Sequence, residues 1–237
     1  MRGGTAAIRA VVLDFDGAIC PVDVTEAILG TFADPSWLQV EAEMRAGGVG
    51  LRDALVRQVA LLRGTPDEWL AFAVDSFALE PTFAPFVRWA HARGLTLAIA
   101  SDGLGSYIEP MLRAAGVEGV RVHSNRLSAD GTVGFPEAHP VCVGCGTCKM
   151  NVVLGYRQRV GPTAFVGEGF SDRYGALYAD LTFAKHHLAR LCDGDGIAFV
   201  PWTTYDDVRA GLDANGTAAP GPPDPARCPG WTDPSVD

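Results

Sequence analysis

The apolar residues of this chain fall into short runs, and three of the runs end in a cluster of polar side chains. These three runs span residues 8–14, 95–100 and 163–166. Continuous apolar runs of this length are typical of strands that are buried on both faces of a parallel sheet. Further strands are predicted by shorter runs at residues 120–123, 181–184 and 196–200.

Amphipathic segments alternate with these strands. They span residues 83–93, 106–115 and 149–159, and a glycine follows shortly after each of them. Alternating strands and helices predict an α/β fold, a Rossmann-like open parallel sheet with helices on both faces. Ligands of such folds bind beyond the carboxyl ends of the strands, and all three polar clusters lie at those ends.

A long segment after the first strand interrupts this alternation. Its apolar spacing predicts four helices, at residues 24–32, 36–45, 51–62 and 66–77. We expect residues 21–83 to form a helical cap above the sheet edge, and residues 1–20 with 84–213 to form the Rossmann-like core. Residues 214–237 are rich in proline and glycine and are expected to form a tail.

The composition and net charge argue against some classes of binding partner. The 237 residues are 48% hydrophobic, which allows a sizeable core, and the formal net charge is -9. An acidic chain is a poor match for nucleic acid, whose phosphates select lysine and arginine. No apolar run reaches the length of about 18 residues that predicts a membrane span. Since the N-terminus also lacks the apolar region of a signal peptide, we expect a cytoplasmic protein without a membrane partner. A homodimer is left open.

Two aspartates follow the first strand, in the sequence Asp14-Phe15-Asp16-Gly17. Carboxylates held together beside a buried strand repel each other unless a cation or a proton lies between them. A hard divalent metal such as Mg²⁺ would relieve that repulsion. One carboxylate could then act as a nucleophile and the other as a general acid and base. The alternative is an ordinary acidic turn after a strand.

Three further clusters carry candidate chemistry. Ser101 follows the second strand, where its hydroxyl could donate to a phosphoryl oxygen or simply cap a turn. Lys149 begins a predicted helix, where the dipole disfavours a cation, so it either neutralises an anion or lies in solvent. Glu168 and Asp172 follow the third long strand and could complete a metal shell or favour a helix N-terminus.

In chain order these clusters supply an acid pair, a hydroxyl, a lysine and a second acid pair. This order resembles the four motifs of the haloacid dehalogenase superfamily, over roughly residues 8–207. Within it, the chain is most similar to the phosphoserine-phosphatase-like branch, and there to the 2-hydroxy-3-keto-5-methylthiopentenyl-1-phosphate phosphatases of methionine salvage. Supporting stretches lie at residues 31–37, 145–149, 181–185, 200–202 and 205–208.

The resemblance implies magnesium-dependent hydrolysis of a small-molecule phosphate monoester through an aspartyl-phosphate intermediate. It makes Asp14 the nucleophile and Asp16 the general acid and base. It assigns phosphate binding to Ser101 and Lys149, and Mg²⁺ binding to Asp14, the backbone carbonyl of Asp16, Glu168 and Asp172. We place Asp102, the residue after Ser101, at the same phosphate-binding site.

Two residues depart from the family pattern. The family usually has aspartate where this chain has Glu168, so the carboxylate reaches further by one methylene. Asp102 follows Ser101 where relatives often carry glycine, which places an extra acid near the expected phosphate site. One alternative to the salvage-type enzyme is a phosphatase of phosphoserine, phosphocholine or a specialised metabolite. Another is a binding protein whose metal site has degenerated.

The remaining candidates lie in the cap and in a cysteine-rich loop. Residues that could select the substrate are Asp23, Glu26, Trp37 and Arg45. Three closely spaced cysteines could hold zinc with one further ligand: Cys142, Cys145 and Cys148, with Cys20, His123 or His139. Reduced thiols are the alternative, because structural zinc sites usually show two separated pairs of ligands.

Overall fold

The chain folds around a seven-stranded sheet. The computed structural model describes residues 7–142 and 144–215, with only the backbone of Asn215. The strands are β1 (Ala10–Leu13), β2 (Thr96–Leu104), β3 (Arg121–Leu127), β4 (Val133–Gly134), β5 (Thr163–Gly167), β6 (Leu181–Ala184) and β7 (Val200–Pro201). Their spatial order is β4-β3-β2-β1-β5-β6-β7.

The sheet is mixed, with one antiparallel strand at its edge. All neighbours from β3 to β7 in the spatial order run parallel, whereas β4 pairs antiparallel with β3. A tight turn reverses the chain there, because Ser128 N donates to Thr132 O and Gly131 has a φ of 85°. The α/β prediction is confirmed. A strand of two residues is too short to show an alternating pattern, so β4 was not predicted.

Helices cover both faces of the sheet and fill the segment after β1. In the described residues they are α1 (Val24–Phe32), α2 (Trp37–Arg45), α3 (Leu51–Val59), α4 (Pro66–Ser76), α5 (Phe83–Ala92), α6 (Gly105–Ala114), α7 (Lys149–Arg159), α8 (Arg173–Tyr178), α9 (His186–Asp195) and α10 (Tyr205–Asn215). The four helices predicted after β1 are all present. None of the helices in this described part is long and apolar enough to cross a membrane.

Two sequence predictions need correction near the C-terminus. The strand predicted at residues 196–200 is reduced to β7, because Gly196 adopts a left-handed φ of 69° that ends α9. α10 continues to Asn215, two residues into the range predicted for the tail. Residues 216–237 lie outside the described residues.

β1 lies at the centre of the sheet and is buried on both faces. Val11 and Leu13 pack into one core cluster, and Ala10 and Val12 pack into the other. Full burial of a Val or Leu side chain contributes about 1.5–3 kcal/mol. This burial fixes the end of β1, and with it the backbone position of the acidic residues that follow.

Candidate active site

The carboxyl ends of three neighbouring strands bring the predicted motifs to one edge of the sheet. Leu13, the last residue of β1, lies beside Ile99 of β2 and Val166 of β5. Asp14 directly follows β1, and its backbone N–H donates to Val166 O over 2.9 Å. Parallel strands present their carboxyl ends to the same edge. The acid pair, the hydroxyl and the second acid pair therefore come together, as the sequence predicted.

Lys149 connects the acidic residues that follow β1 and β5. It is buried, and its Nζ donates to Asp14 Oδ1 at 2.8 Å, to Asp172 Oδ1 at 2.6 Å and to Ser171 Oγ at 3.0 Å. These three bonds use all the protons of the ammonium group. They explain why a lysine occupies the first position of α7 against the helix dipole.

Asp16 lies on the other side of the site, where α1 meets the core. Its Oδ1 accepts from Val24 N at 2.9 Å, and its Oδ2 accepts from Tyr107 Oη at 2.9 Å and Ser101 Oγ at 3.4 Å. The Tyr107 hydroxyl also lies 2.9 Å from Thr25 Oγ1. Asp16 is thus held by hydrogen bonds from the start of α1 and from the first turn of α6.

The site holds more buried acid than base. Burial raises the pKa of Asp14 well above its ordinary value, the charge of Asp172 adds to this, and the Lys149 ammonium opposes it. Burial likewise raises the pKa of Asp16 to about 7 and raises the pKa of Asp102. Among the described residues, Lys149 is the only cation that forms ion pairs with this group of carboxylates, and it pairs with two of them. The group consists of Asp14, Asp16, Asp102 and Asp172. The arrangement is therefore short of positive charge.

This excess of carboxylate oxygen fits a hard divalent cation. Asp14 and Asp172 share one ammonium group, so both carboxylates reach the same small volume. Mg²⁺ is commonly bound by one or two carboxylates, with water and substrate phosphate completing the shell. No group of three or more His, Cys, Asp or Glu side chains in the described chain is arranged as a metal site. A two-carboxylate site completed by a backbone carbonyl such as that of Asp16 agrees with that finding.

Glu168 does not join this pair in the structure. Its Oε2 lies 3.1 Å from His186 Nδ1, and its backbone N–H donates to Asp172 Oδ2 at 2.8 Å. A Cβ placed on Gly17 would lie 2.5 Å from Glu168 Oε1, so the longer side chain packs over the turn after the acid pair. Gly17 has a φ of 74°, which also favours glycine. The backbone of Glu168 orients Asp172, while its carboxylate contacts His186.

Asp102 ties a loop to the sheet. Its Oδ1 accepts from Thr147 N at 2.8 Å, and its backbone carbonyl accepts from the side chain of Asn125. Thr147 belongs to the loop that leads into Lys149. The extra acid beside Ser101 therefore positions the segment before α7, and its place at the phosphate-binding site stays a prediction.

Residues 11–142, more than half of the chain, match the family described as haloacid dehalogenase-like hydrolase. The chain belongs to this family.

Curated relatives of this hydrolase carry the name 2-hydroxy-3-keto-5-methylthiopentenyl-1-phosphate phosphatase. The protein of that name from Exiguobacterium sp. (strain ATCC BAA-1283 / AT1b) is 28% identical over 209 residues, which cover 84% of this chain and 95% of the relative. The one from Bacillus velezensis is 25% identical over 212 residues, which cover 86% and 89%. The hydrolase therefore aligns with these relatives over most of both chains.

Solved structures share the fold of this hydrolase. A phospho-aspartyl intermediate analogue of phosphoserine phosphatase matches with a TM-score of 0.66 at 18% identity, over 88% of this chain and 99% of that one. A substrate-bound phosphoserine phosphatase complex matches with a TM-score of 0.63 at 17% identity, over 87% and 98%. At these identities the likeness shows the fold alone.

The cysteine-rich loop of this hydrolase provides no zinc site among the described residues. The residues suggested as a fourth ligand have other contacts. His139 Nδ1 accepts from two backbone N–H groups, and His123 bonds to Glu137 and Tyr156 through its two ring nitrogens. Cys20 is buried, and its Sγ lies 3.9 Å from Ala78 O. The sequence spacing left zinc and reduced thiols as alternatives, and the tertiary structure places the two candidate histidines in hydrogen-bonded networks.

The residues suggested as substrate selectors occupy different environments. Asp23 caps α1, since its Oδ1 accepts from Glu26 N at 2.8 Å, and its charge helps to raise the pKa of Asp16. Trp37 is buried, and the exposed Arg45 pairs with Glu41 at 2.7 Å. Asp23 is therefore the member of this set with an electrostatic link to the acid pair.

Sequence reasoning missed three hydroxyl groups at the site. They belong to Thr25, Tyr107 and Ser171, which bond to one another or to charged groups of the motifs. Ser171 could have been found from its place inside the second acid cluster. The position of Tyr107, in the first turn of the helix after Ser101, is a weaker signal.

Proposed function

We propose that this hydrolase is a phosphatase that hydrolyses a small-molecule phosphate monoester with Mg²⁺ through an aspartyl-phosphate intermediate. The observation that carries the proposal is the buried arrangement of Asp14 and Asp172 on one Lys149 ammonium, beside Asp16 at the end of β1. A nucleophilic carboxylate, a second carboxylate for proton transfer and a fixed cation are the groups that such a reaction needs.

In the first step, a carboxylate oxygen of Asp14 attacks phosphorus. The bond between phosphorus and the substrate alcohol oxygen breaks, and that oxygen takes a proton from Asp16. A pKa of about 7 suits this role, because Asp16 can then hold a proton near neutral pH and still release it.

In the second step, Asp16 accepts a proton from water as the water oxygen bonds to phosphorus. The bond between phosphorus and Asp14 breaks, which releases inorganic phosphate and restores the Asp14 carboxylate and the protonated form of Asp16. Lys149 and the hydroxyl of Ser101 hold the phosphoryl oxygens in both steps, so that charge is stabilised where it develops. For this, Lys149 exchanges one of its bonds to Asp14, Asp172 or Ser171 for a bond to the phosphoryl group.

Asp14, Asp172 and the backbone carbonyl of Asp16 would hold Mg²⁺, with Glu168 contributing through its backbone or side chain. When bound, the ion supplies positive charge to the transferring phosphoryl group. Asp172 is fixed for this purpose, since its Oδ2 accepts from the backbone N–H groups of Glu168 and Gly169 at 2.8 and 2.9 Å.

Substrate choice is assigned to the helices between β1 and α5, which we treat as the cap at residues 21–83. The names of the curated relatives favour a 2-hydroxy-3-keto-5-methylthiopentenyl-1-phosphate-like substrate. Phosphoserine, phosphocholine or a specialised metabolite are the competing substrates of the same reaction. A panel of these monoesters separates them by kcat/KM.

A second candidate, a binding protein without turnover, is favoured by one observation. Glu168 contacts His186, although the family usually has an aspartate at this position. The two candidates differ in the hydrolysis of p-nitrophenyl phosphate with Mg²⁺, with EDTA and with Asp14→Asn. Turnover that needs Mg²⁺ and is lost in the variant supports the phosphatase. If neither this substrate nor the monoester panel is hydrolysed, and neither Mg²⁺ nor fluoroberyllate binds, the phosphatase proposal is wrong.

A further inference from the structure

A polar cavity that is separate from the candidate active site lies at the N-terminus of α6. Its volume is about 310 Å³, and it lies between α6, β3 and the segment after β4. Its polar lining residues include Ser106, Glu109, Ser124, Arg126, Ser128 and Glu137. The residues proposed above for catalysis, phosphate binding and metal binding do not line it.

The end of α6 offers hydrogen-bond donors to this cavity. α6 comprises the ten residues Gly105–Ala114, and its N-cap residue Leu104 makes no side-chain capping bond. The first N–H groups of a helix have no partner inside the helix and lie at the positive end of its dipole. A Cβ on Gly105 would lie 2.7 Å from Ser124 Oγ, so glycine at this position allows the hydroxyl to approach the first residue of the helix.

Ser124 is a second and independent sign of a missing ligand. The residue is 8% exposed, and none of the hydrogen bonds among the described residues involves its hydroxyl. Its oxygen is not among the fully buried atoms that lack a partner, so it remains accessible from the cavity that it lines. The proximity of Ser124 Oγ to Gly105 aims the hydroxyl at the start of α6, where a bound group would complete its bonding.

One basic and two acidic side chains line the cavity. Arg126 is exposed and enters none of the ion pairs in the described chain, so its guanidinium is available. Two acids also line the cavity, but each has a basic neighbour. Glu137 Oε1 lies 2.9 Å from His123 Nδ1, and Glu109 Oε2 lies 3.8 Å from Arg113. They weaken the attraction for an anion, so binding would depend on the directed hydrogen-bond donors of the cavity and not on its net charge.

We propose that this cavity binds a small tetrahedral oxyanion, a phosphate or sulfate group. The N–H groups at the start of α6, the Ser124 hydroxyl and the Arg126 guanidinium would be its donors. A helix N-terminus with an added arginine is a common arrangement for such groups. The site is separate from the proposed phosphatase site and does not depend on its activity.

The test is a titration of the metal-free, ¹⁵N-labelled protein with sodium sulfate at constant ionic strength. We expect the backbone amide signals of Gly105 and Ser106 to shift and saturate. Ser124→Ala and Arg126→Gln should each weaken the apparent affinity by about fivefold or more, since each removes one donor to a charged group. Glu109→Gln should strengthen it, because it removes a nearby negative charge.

Arg121→Gln is the matched control. Arg121 is an exposed arginine at the opposite end of β3 and does not line the cavity, so the variant should bind sulfate like the wild type. If sulfate were attracted only by the overall charge of the protein, Arg121→Gln and Arg126→Gln would weaken binding equally. The proposal is overturned by that result, by the absence of saturable shifts at Gly105 and Ser106, or by unchanged affinity in Ser124→Ala. A spectrum that is otherwise unchanged verifies that each variant is folded.

Discussion

The two aspartates of the first motif lie close together in the chain, yet their carboxylates bond to different parts of the molecule. Asp14 bonds to Lys149, which in turn holds Asp172, and all three belong to the core. Asp16 accepts from Val24, at the start of α1, and from Tyr107, whose hydroxyl also contacts α1. One carboxylate is therefore held by the core and the other by the junction of the core with the cap.

This difference predicts separate roles for the two carboxylates. In the proposed mechanism, the geometry of phosphoryl transfer would depend on the contacts of Asp14 with Lys149, which do not involve residues 21–83. Proton transfer to the leaving group would depend on Asp16, which is bonded to the start of α1. We expect changes on the core side to affect every substrate, and changes on the cap side to affect substrates according to their leaving group.

The largest expected effect compares Asp14→Asn with Asp16→Asn. Asp14→Asn should lower kcat by about 10⁴-fold or more for every monoester, because it removes the nucleophile. Asp16→Asn should cost about 10²–10⁴-fold for an alkyl phosphate such as phosphoserine and much less for p-nitrophenyl phosphate, whose leaving group needs no proton. Steady-state kinetics of both variants on both substrates check this. Equal losses on the two substrates in Asp16→Asn would contradict the assignment of the general acid.

The next effect is on stability, through Lys149→Met. Removing one partner of a buried charge pair costs about 3–5 kcal/mol, because the remaining charges lose their compensation. We expect the free energy of unfolding in urea to fall by that amount, and the double variant with Asp172→Asn to recover part of the loss. Arg113→Met, which removes an exposed cation, is the control and should change stability little. An unaltered urea midpoint in Lys149→Met would show that this buried network is not formed.

A smaller effect tests the cap side. Tyr107→Phe removes a hydrogen bond to Asp16 Oδ2 and should lower kcat by about tenfold. Thr25→Val affects Asp16 only through Tyr107, so we expect it to lower kcat by less. In the Tyr107→Phe background, Thr25→Val should lower kcat hardly at all. Tyr156→Phe is the control, since it removes a hydroxyl that bonds to His123, away from Asp16. Additive losses from Thr25→Val and Tyr107→Phe would show that the two hydroxyls do not act together.

The smallest effect concerns the departure from the family at Glu168. Glu168→Asp shortens the side chain and releases it from His186, so its carboxylate can lie nearer to Asp172. We expect the Mg²⁺ concentration for half-maximal activity to fall by about threefold, with kcat little changed. A Mg²⁺ titration of the initial rate measures this. A higher Mg²⁺ requirement in Glu168→Asp would mean that the longer side chain is the better partner for the ion.

Much of the fold could be predicted from local patterns. The bounds of α1 and α7 agree with their predicted ranges, and the end of β1 was placed next to the acid pair. Periodicity and helix-ending glycines are properties of neighbouring residues, so one sequence displays them. The two-residue strand β4 and the short helix α8 were missed, because they are too brief for a repeating pattern. The eleven-residue helix α10 was also not predicted.

The candidate site was predictable only as a set of motifs. The order of the acids, the hydroxyl and the lysine identified the residues that meet at the sheet edge, since parallel strands align their carboxyl ends. Their partners were not predictable. Tyr107 meets Asp16 across 91 positions of sequence, and Asp102 meets Thr147 across 45. Such contacts depend on how distant helices and loops pack against the sheet.

The sequence by itself therefore determined the alternation of strands and helices and the residue types available for chemistry. The tertiary structure decided which atoms they contact: Lys149 lies between Asp14 and Asp172, Glu168 contacts His186, and the suggested zinc histidines bond elsewhere. The physical reason is the distance along the chain over which each kind of interaction acts. Propensity and periodicity act between neighbours along the chain, whereas burial, charge pairing and hydrogen-bond satisfaction are settled only when distant segments pack together.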